Sequence, residues 1–336
     1  MKIEVLGTES LGVRGLSCYI DTGNHRILID PGIALGYTRW KLHPHPLQAL
    51  MGDIIRARIT MYWRKADYIV LTHMHGDHIP LYNANPFQLD LYMLDHRGEK
   101  RIIAPPPSIL NKKERIRLAK IHELYGERLI SIKWRAAEIG PVRVFGPYNH
   151  GLSHTEVYVV YISGSPSILH LSDTGLLVEK VVEIARQYRP DIVITDGPPL
   201  YRYLHDEKAA RDILNRAEQV LNKIARYVDK IIIDHHINRC DQGYKWIRSG
   251  IRSRSDNGIM TAAEYMGRKP LLLESWRRAL YRLLPVSNYW FNNDYRGTIE
   301  EYKGILNRLI NRINKSTLDI DESSFSTILS GVLTEK

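Results

Sequence analysis

The chain has 336 residues, 44% hydrophobic and 25% charged, with a formal net charge of +10. That balance excludes a disordered or fibrous chain and supports a packed core, and two cysteines, Cys18 and Cys240, exclude a disulfide framework or a cysteine-spaced zinc module. No apolar run reaches membrane-spanning length and no signal-peptide pattern opens the chain, so a cytoplasmic protein with no membrane partner is expected.

Residues 2 to 7, 16 to 21 and 25 to 30 alternate or run apolar between glycine-containing breaks and predict a meander of strands. Ile54 to Lys65 predicts a helix and Tyr68 to Leu71 a strand. Ile79 to Arg97, interrupted by Pro80, Asn83, Asn85 and Pro86, predicts a loop with a short helix. Lys112 to Tyr125 has helical periodicity, and residues 129 to 134, 142 to 145, 157 to 162 and 167 to 171 predict strands of a second sheet. From Leu176 helix and strand alternate: helix to Tyr188, strand Ile192 to Ile194, helix Glu207 to Tyr227, strand Lys230 to Ile233. Parallel strands joined by crossover helices follow from that order. Residues 261 to 284 predict a helix followed by an arginine-rich one. We expect one α/β domain over residues 1 to 314 and a loosely held tail over 315 to 336.

Chemistry concentrates in Leu71-Thr-His-Met-His-Gly-Asp-His78, where three imidazoles and a carboxylate lie within six residues of each other, directly after a strand. Imidazole nitrogen and carboxylate oxygen suit Zn²⁺, Fe²⁺ or Mn²⁺, and the offset from His73 to His75 lets a turning backbone aim both rings at one ion. Other acidic or imidazole residues stand at strand ends: Asp30 in Arg26-Ile-Leu-Ile-Asp-Pro-Gly, His150 in Pro147-Tyr-Asn-His-Gly, Asp173 in Ile168-Leu-His-Leu-Ser-Asp-Thr-Gly, and His235 in Ile231-Ile-Ile-Asp-His-His. Asp196, in Thr195-Asp-Gly-Pro-Pro, is a further candidate because parallel strands gather their carboxyl ends at one edge; an Asx-type turn is the alternative.

This ordered set resembles the metallo-β-lactamase-fold superfamily, and Glu9 to Arg14, Leu28 to Gly32, the Asp234-His-His triplet and Thr261 to Gly267 resemble an uncharacterised archaeal branch of it. The resemblance implies an αββα four-layer sandwich. It implies that His73, His75 and His150 hold one metal, that Asp77, His78 and His235 hold a second, and that Asp173 bridges them. Asp30 is then expected to hydrogen-bond a ligand imidazole and fix its tautomer. His154 stands as an alternative to His150, and His236 as an alternative to His235. His154 is also a candidate proton donor, and Asp77 a catalytic residue. His236 is otherwise expected, like Asp196, to support the ligands from behind. Arg239 resembles the basic residue that follows the last ligand in phosphodiesterase members, and its guanidinium suits phosphate.

Two divalent ions, zinc in the first place with manganese or iron as alternatives, would activate a shared water against a carbonyl or phosphoryl group. A hydrolase is therefore expected, acting on a phosphodiester in a nucleic acid or nucleotide, since a positive balance favours polyanions. Lactone or thioester hydrolysis, mononuclear iron dioxygenase chemistry, and nucleic-acid binding without turnover are the alternatives. Tyr244, Trp246, Arg248, Arg252 and Arg254 form a basic, aromatic run that suits base stacking or, equally, a solvated surface. His43-Pro-His45-Pro predicts a rigid loop, either lining the cleft or binding nothing.

Overall fold

Period-two alternation of apolar side chains builds the centre of the molecule. The computed structural model describes residues 1–133, 136–251, 258–317 and 319–334. In the first half, β1 (Lys2–Gly7), β2 (Ser17–Asp21), β3 (Arg26–Ile29), β4 (Tyr68–Val70), β5 (Arg101–Ala104) and β6 (Leu129–Ser131) form one sheet in that spatial order. Helix α1 (Pro46–Lys65) joins β3 to β4, and α2 (Lys112–Tyr125) joins β5 to β6.

The second sheet runs β7 (Ala136–Ile139), β8 (Val142–Asn149), β9 (Glu156–Ile162), β10 (Ile168–His170), β11 (Ile192–Thr195), β12 (Lys230–Ile233) and β13 (Gly258–Met260), again in spatial order. The last four are mutually parallel. Helix α3 (Lys180–Tyr188) connects β10 to β11, α4 (Glu207–Ile224) connects β11 to β12, and the short α5 (Asp241–Lys245) follows β12. After β13 come α6 (Ala262–Tyr265), α7 (Arg277–Leu283), α8 (Tyr295–Lys315) and α9 (Glu322–Thr334).

Side-chain alternation decides which face each strand gives to which layer. Ile27, Ile29, Val70 and Ile103 of the first sheet meet Val160, Ile162, Ile192, Ile194 and Ile232 of the second in a shared core. Their neighbours Leu28, Ile69 and Ile102 point the other way, under Ile55 and Ile59 of α1 and Leu118 and Ile121 of α2. Val159, Leu169, Val193 and Ile231 likewise pack under Ile184 of α3 and Val220 and Leu221 of α4. The layers are therefore helix, sheet, sheet, helix, the αββα sandwich.

Several local expectations are corrected. The strand at 129–131 belongs to the first sheet, where it pairs parallel with β5; a helix between two strands returns the chain parallel to the strand it left. Helix α1 begins at Pro46, and neither His43 nor His45 is in the candidate metal groups; His43 contacts Tyr37 and Tyr289 instead. His45 is the N-cap: its ring accepts from Leu47 N, the Gln48 side chain accepts from His45 N, and Pro46 takes the first helical position. The other ring nitrogen of His45 is hydrogen-bonded to Leu284 O at 2.8 Å, and burial lowers its pKa to about 4.

Of the expected tail, residues 319–334 are packed, not loosely held. Phe325, Leu329 and Val332 of α9 are buried in the core beneath the first sheet, and Phe325 stacks on Trp276 at 4.5 Å. Their spacing of four and three residues places all three on one helical stripe. Phe325→Ala is expected to cost about 3–5 kcal/mol in denaturant unfolding, the usual range for emptying a buried phenylalanine site. Unchanged stability would show that α9 contributes nothing to the core.

Candidate metal centre

Strand ends put the candidate residues in one place. Asp30 follows β3, the His73 to His78 turn follows β4, His150 follows β8, Asp173 follows β10, Asp196 follows β11 and His235 follows β12. The turns that do this are strained: Asp30, Ser172 and His235 all have positive φ, at 45°, 51° and 85°. Such backbone costs on the order of 1–3 kcal/mol per residue and persists where the surroundings over-determine it. Gly32 serves the same end, since its N–H donates to His78 O and a Cβ there would lie 2.2 Å from Ile79 N. Only glycine lets the loop after β3 cross the backbone of the histidine turn so closely.

Asp173 is the hub. Its Oδ2 lies 3.0 Å from His150 Nε2, 3.1 Å from His78 Nε2, 3.5 Å from His235 Nε2, and 3.6 Å from both His73 Nε2 and His236 Nε2. Four overlapping groups have ligand atoms within 4.8 Å of one another: His73, His75, His150 and Asp173; Asp77, His78 and His235; Asp173, His235 and His236; and Asp30, His73 and His78. Asp173 Oδ1, His73 Nε2 and His150 Nε2 are buried without a hydrogen-bond partner among the described residues. Buried polar atoms are rarely left so, and this donor set of imidazole nitrogen and carboxylate oxygen fits a divalent transition metal.

Carboxylates behind the rings orient them. Asp30 Oδ2 lies 3.0 Å from His78 Nδ1 and also accepts from the Thr72 hydroxyl at 2.7 Å. Glu9 Oε2 lies 2.7 Å from His235 Nδ1, and Asp196 Oδ2 lies 2.7 Å from His236 Nδ1. Each contact directs the ring's Nε2 toward Asp173, the arrangement by which outer carboxylates fix the tautomer of a metal-binding histidine. His170 acts on the hub's backbone: its Nδ1 accepts from Ser172 N and its Nε2 donates to Leu16 O.

Charge follows from the same contacts. Burial, then repulsion by neighbouring imidazoles, holds His73 well below its ordinary value, and His75 falls to about 4 for the same reasons. His78 is moved the other way: burial opposes its charge, but Asp173 and Asp30 outweigh it and raise its pKa well above the usual value. His235 rises to about 9, where burial is outweighed chiefly by Glu9. Burial and the charge of Asp173 push Asp196 well above the carboxylate range. For Asp77, burial is overcome by His78, Arg239 and His235, which keep its carboxyl well below that range.

Two residues are placed otherwise than expected. His154 is exposed on the turn after β8 and joins none of the four groups. Arg239 is buried, with Nε donating to Glu9 Oε1 at 2.7 Å, Nη2 to Asp77 Oδ2 at 2.9 Å and Nη1 to the Tyr201 hydroxyl at 3.3 Å. Its fork is committed to the protein, so its immediate work is to hold Asp77 and Glu9 in place. The run around Tyr244 is likewise structural where it is described: Tyr244 is buried, and Arg248 pairs with Glu264 and Asp319. Arg252 and Arg254 lie outside the described residues. Sequence reasoning missed Glu9 and Tyr201 as members of the site; Glu9 stood in the opening segment with no local pattern to connect it to a histidine far along the chain.

The family model that matches residues 12–224 is described as the metallo-beta-lactamase superfamily. The chain belongs to this superfamily. Within it, the chain is 31% identical to a UPF0282 protein of Methanosarcina mazei, covering 90% of this chain and 99% of the relative. It is 31% identical to a UPF0282 protein of Pyrococcus horikoshii, covering 84% and 94%. These relatives match the archaeal branch that the sequence resembled. Among solved structures, an isothiocyanate hydrolase from Delia radicum gut bacteria aligns over 66% of this chain and 83% of its own, at 13% identity and a TM-score of 0.36. Among the described residues of this superfamily member, no helix is long and apolar enough to cross a membrane.

Proposed function

We propose that the protein is a metal-dependent hydrolase with a dinuclear centre that cleaves phosphodiesters in a nucleic acid or nucleotide. The observation that carries this reading is the convergence of five imidazole Nε2 atoms, from His73, His78, His150, His235 and His236, on one buried carboxylate oxygen of Asp173. On this reading His73, His75 and His150 would hold one ion, Asp77, His78 and His235 the other, and Asp173 both. Bound divalent ions supply Lewis acidity and a water of lowered pKa.

The chain's own residues do the rest. Asp30 and Glu9 keep the Nδ1 protons of His78 and His235 engaged, leaving Nε2 for the centre. Arg239 keeps Asp77 ionised and aimed. Asp196 and His236 hold a proton between them at 2.7 Å, beside the hub and in the same low-dielectric pocket. His75 and Asp77 are only half-buried while His73, His78 and His235 are fully buried, so substrate reaches the centre from the His75 and Asp77 side. The formal charge of +10 supports an anionic substrate.

Elemental analysis of protein purified without chelator, with a turnover screen of bis(p-nitrophenyl) phosphate, a lactone and a thioester, tests the proposal. Two equivalents of zinc or manganese with phosphodiester cleavage are expected. One equivalent of iron with O₂ uptake and no hydrolysis would overturn it in favour of dioxygenase chemistry, and cleavage of the lactone or thioester alone would overturn the phosphodiester substrate.

A further inference from the structure

A line of alternating guanidinium groups and aromatic rings leads from the surface to the candidate centre. Arg278 Cζ lies 4.6 Å from the centroid of Trp40, and Arg39 Cζ lies 4.1 Å from it. Arg39 in turn lies 5.9 Å from the ring of Tyr201, which also has Arg202 at 5.8 Å and Arg239 at 5.5 Å. Arg239 closes the line on Asp77. The Tyr201 ring stands 6.4 Å from that of His236. At the outer end, Arg202 and Arg278 are exposed, Trp40 is 37% exposed, and neither arginine has a carboxylate partner among the described residues.

The charge behind this wall is positive as well. Glu274, fully buried, faces three guanidiniums: Arg14 at 2.5 Å and Arg39 at 3.6 Å on Oε1, and Arg277 at 2.8 Å on Oε2. One carboxylate cannot neutralise three cations, so Arg39 carries uncompensated charge into the line. Burial and the nearby arginines accordingly push its pKa down.

We propose that Trp40, Tyr201, Arg202 and Arg278 form a wall that binds single-stranded nucleic acid and leads it into the candidate metal centre. Rings presented beside guanidiniums, at a protein surface of net positive charge, match the two surfaces of an unpaired strand: planar bases that stack and phosphates that pair with arginine. A duplex hides its base faces and a bare polyanion has none, so a single strand uses more of this wall than either. The inference rests on the phosphodiester reading for its direction, with the strand running inward from Arg278 toward Asp77.

Fluorescence anisotropy with labelled short oligothymidylate and oligouridylate, the same oligothymidylate annealed into a duplex, and competing inorganic polyphosphate tests the wall on the full chain. Single strands are expected to bind more tightly than duplex. Arg202→Gln with Arg278→Gln should lower the slope of log affinity against log salt by about 1.4, at about 0.7 per lost phosphate contact. Trp40→Leu should weaken single-strand binding about 5- to 160-fold, the range for one stacked base. Unchanged melting temperature and metal content would show that each variant folds. Duplex or polyphosphate binding as tight as the single strand, or variants that bind like the parent, would overturn the wall. Its failure is separable from that of the hydrolase reading: strand binding through these residues without turnover of any ester leaves the wall standing, and ester turnover without strand binding leaves the hydrolase standing.

Discussion

Asp173→Asn is expected to lower metal affinity by more than about 10²-fold and to abolish turnover, because losing a mere outer partner of a ligand already costs about 10–100-fold in affinity or activity. The side chain is the meeting point of five Nε2 atoms between 3.0 and 3.6 Å away, and among the described residues no other carboxylate oxygen pairs with all five. The amide keeps the volume but removes the negative charge that two ions are expected to share. The change also removes the anion that faces His78 and His235, so a metal-free variant should show both imidazoles titrating lower than in the parent. Zinc titration against a chromophoric chelator, read beside bis(p-nitrophenyl) phosphate turnover, checks it. A variant that still holds two ions and turns over at the parent rate would remove Asp173 from the centre.

Glu274→Gln is expected to destabilise the fold by about 3–5 kcal/mol near neutral pH, since breaking a buried ion pair leaves uncompensated charge. Here the charges left are the guanidiniums of Arg14, Arg39 and Arg277, gathered on one fully buried carboxylate. Burial alone would raise the pKa of Glu274, but Arg14, Arg277 and Arg39 together depress it well below the usual range. A depressed carboxylate stabilises the fold above its unfolded pKa, about 4.3, and that contribution is lost as pH falls toward the folded value. The gap in unfolding free energy between parent and variant should therefore be constant above about pH 5 and narrow progressively below about pH 4. Equal stability at pH 7, or a gap unchanged down to pH 2, would contradict the argument.

What could be read from the sequence was what is local. The histidine turn of residues 73 to 78 announces itself because its donors are neighbours in the chain, and Asp173 and His235 do so because they end apolar strands. The order of strands and crossovers likewise follows from alternation that needs no partner to be seen. Glu9, Tyr201 and Glu274 were hidden because each acts on a residue far away: Glu9 on His235, Tyr201 on Arg239, Glu274 on Arg14. Arg239 was noticed for its chemistry, but its commitment to Glu9 and Asp77 depends on three segments meeting. Strands β7 and β13, Ala136–Ile139 and Gly258–Met260, carry Ala, Glu or Gly beside few large apolar residues, whereas the equally short β4 and β10 sit in longer apolar runs. Helix α9 looked like a tail because its polar residues outnumber the three apolar ones that anchor it.

Glu9 and His235 stand 226 residues apart in the chain yet 2.7 Å apart in the fold. During synthesis the first sheet emerges with its histidine turn complete and its opening glutamate waiting, while the residue that glutamate is to orient has not been made. A full set of donors therefore exists only after β12 has left the ribosome. A chain cut short before β12 would carry His73, His75, Asp77 and His78 but leave Glu9 without the ring it faces, so the candidate centre belongs to the whole fold and not to the histidine turn alone.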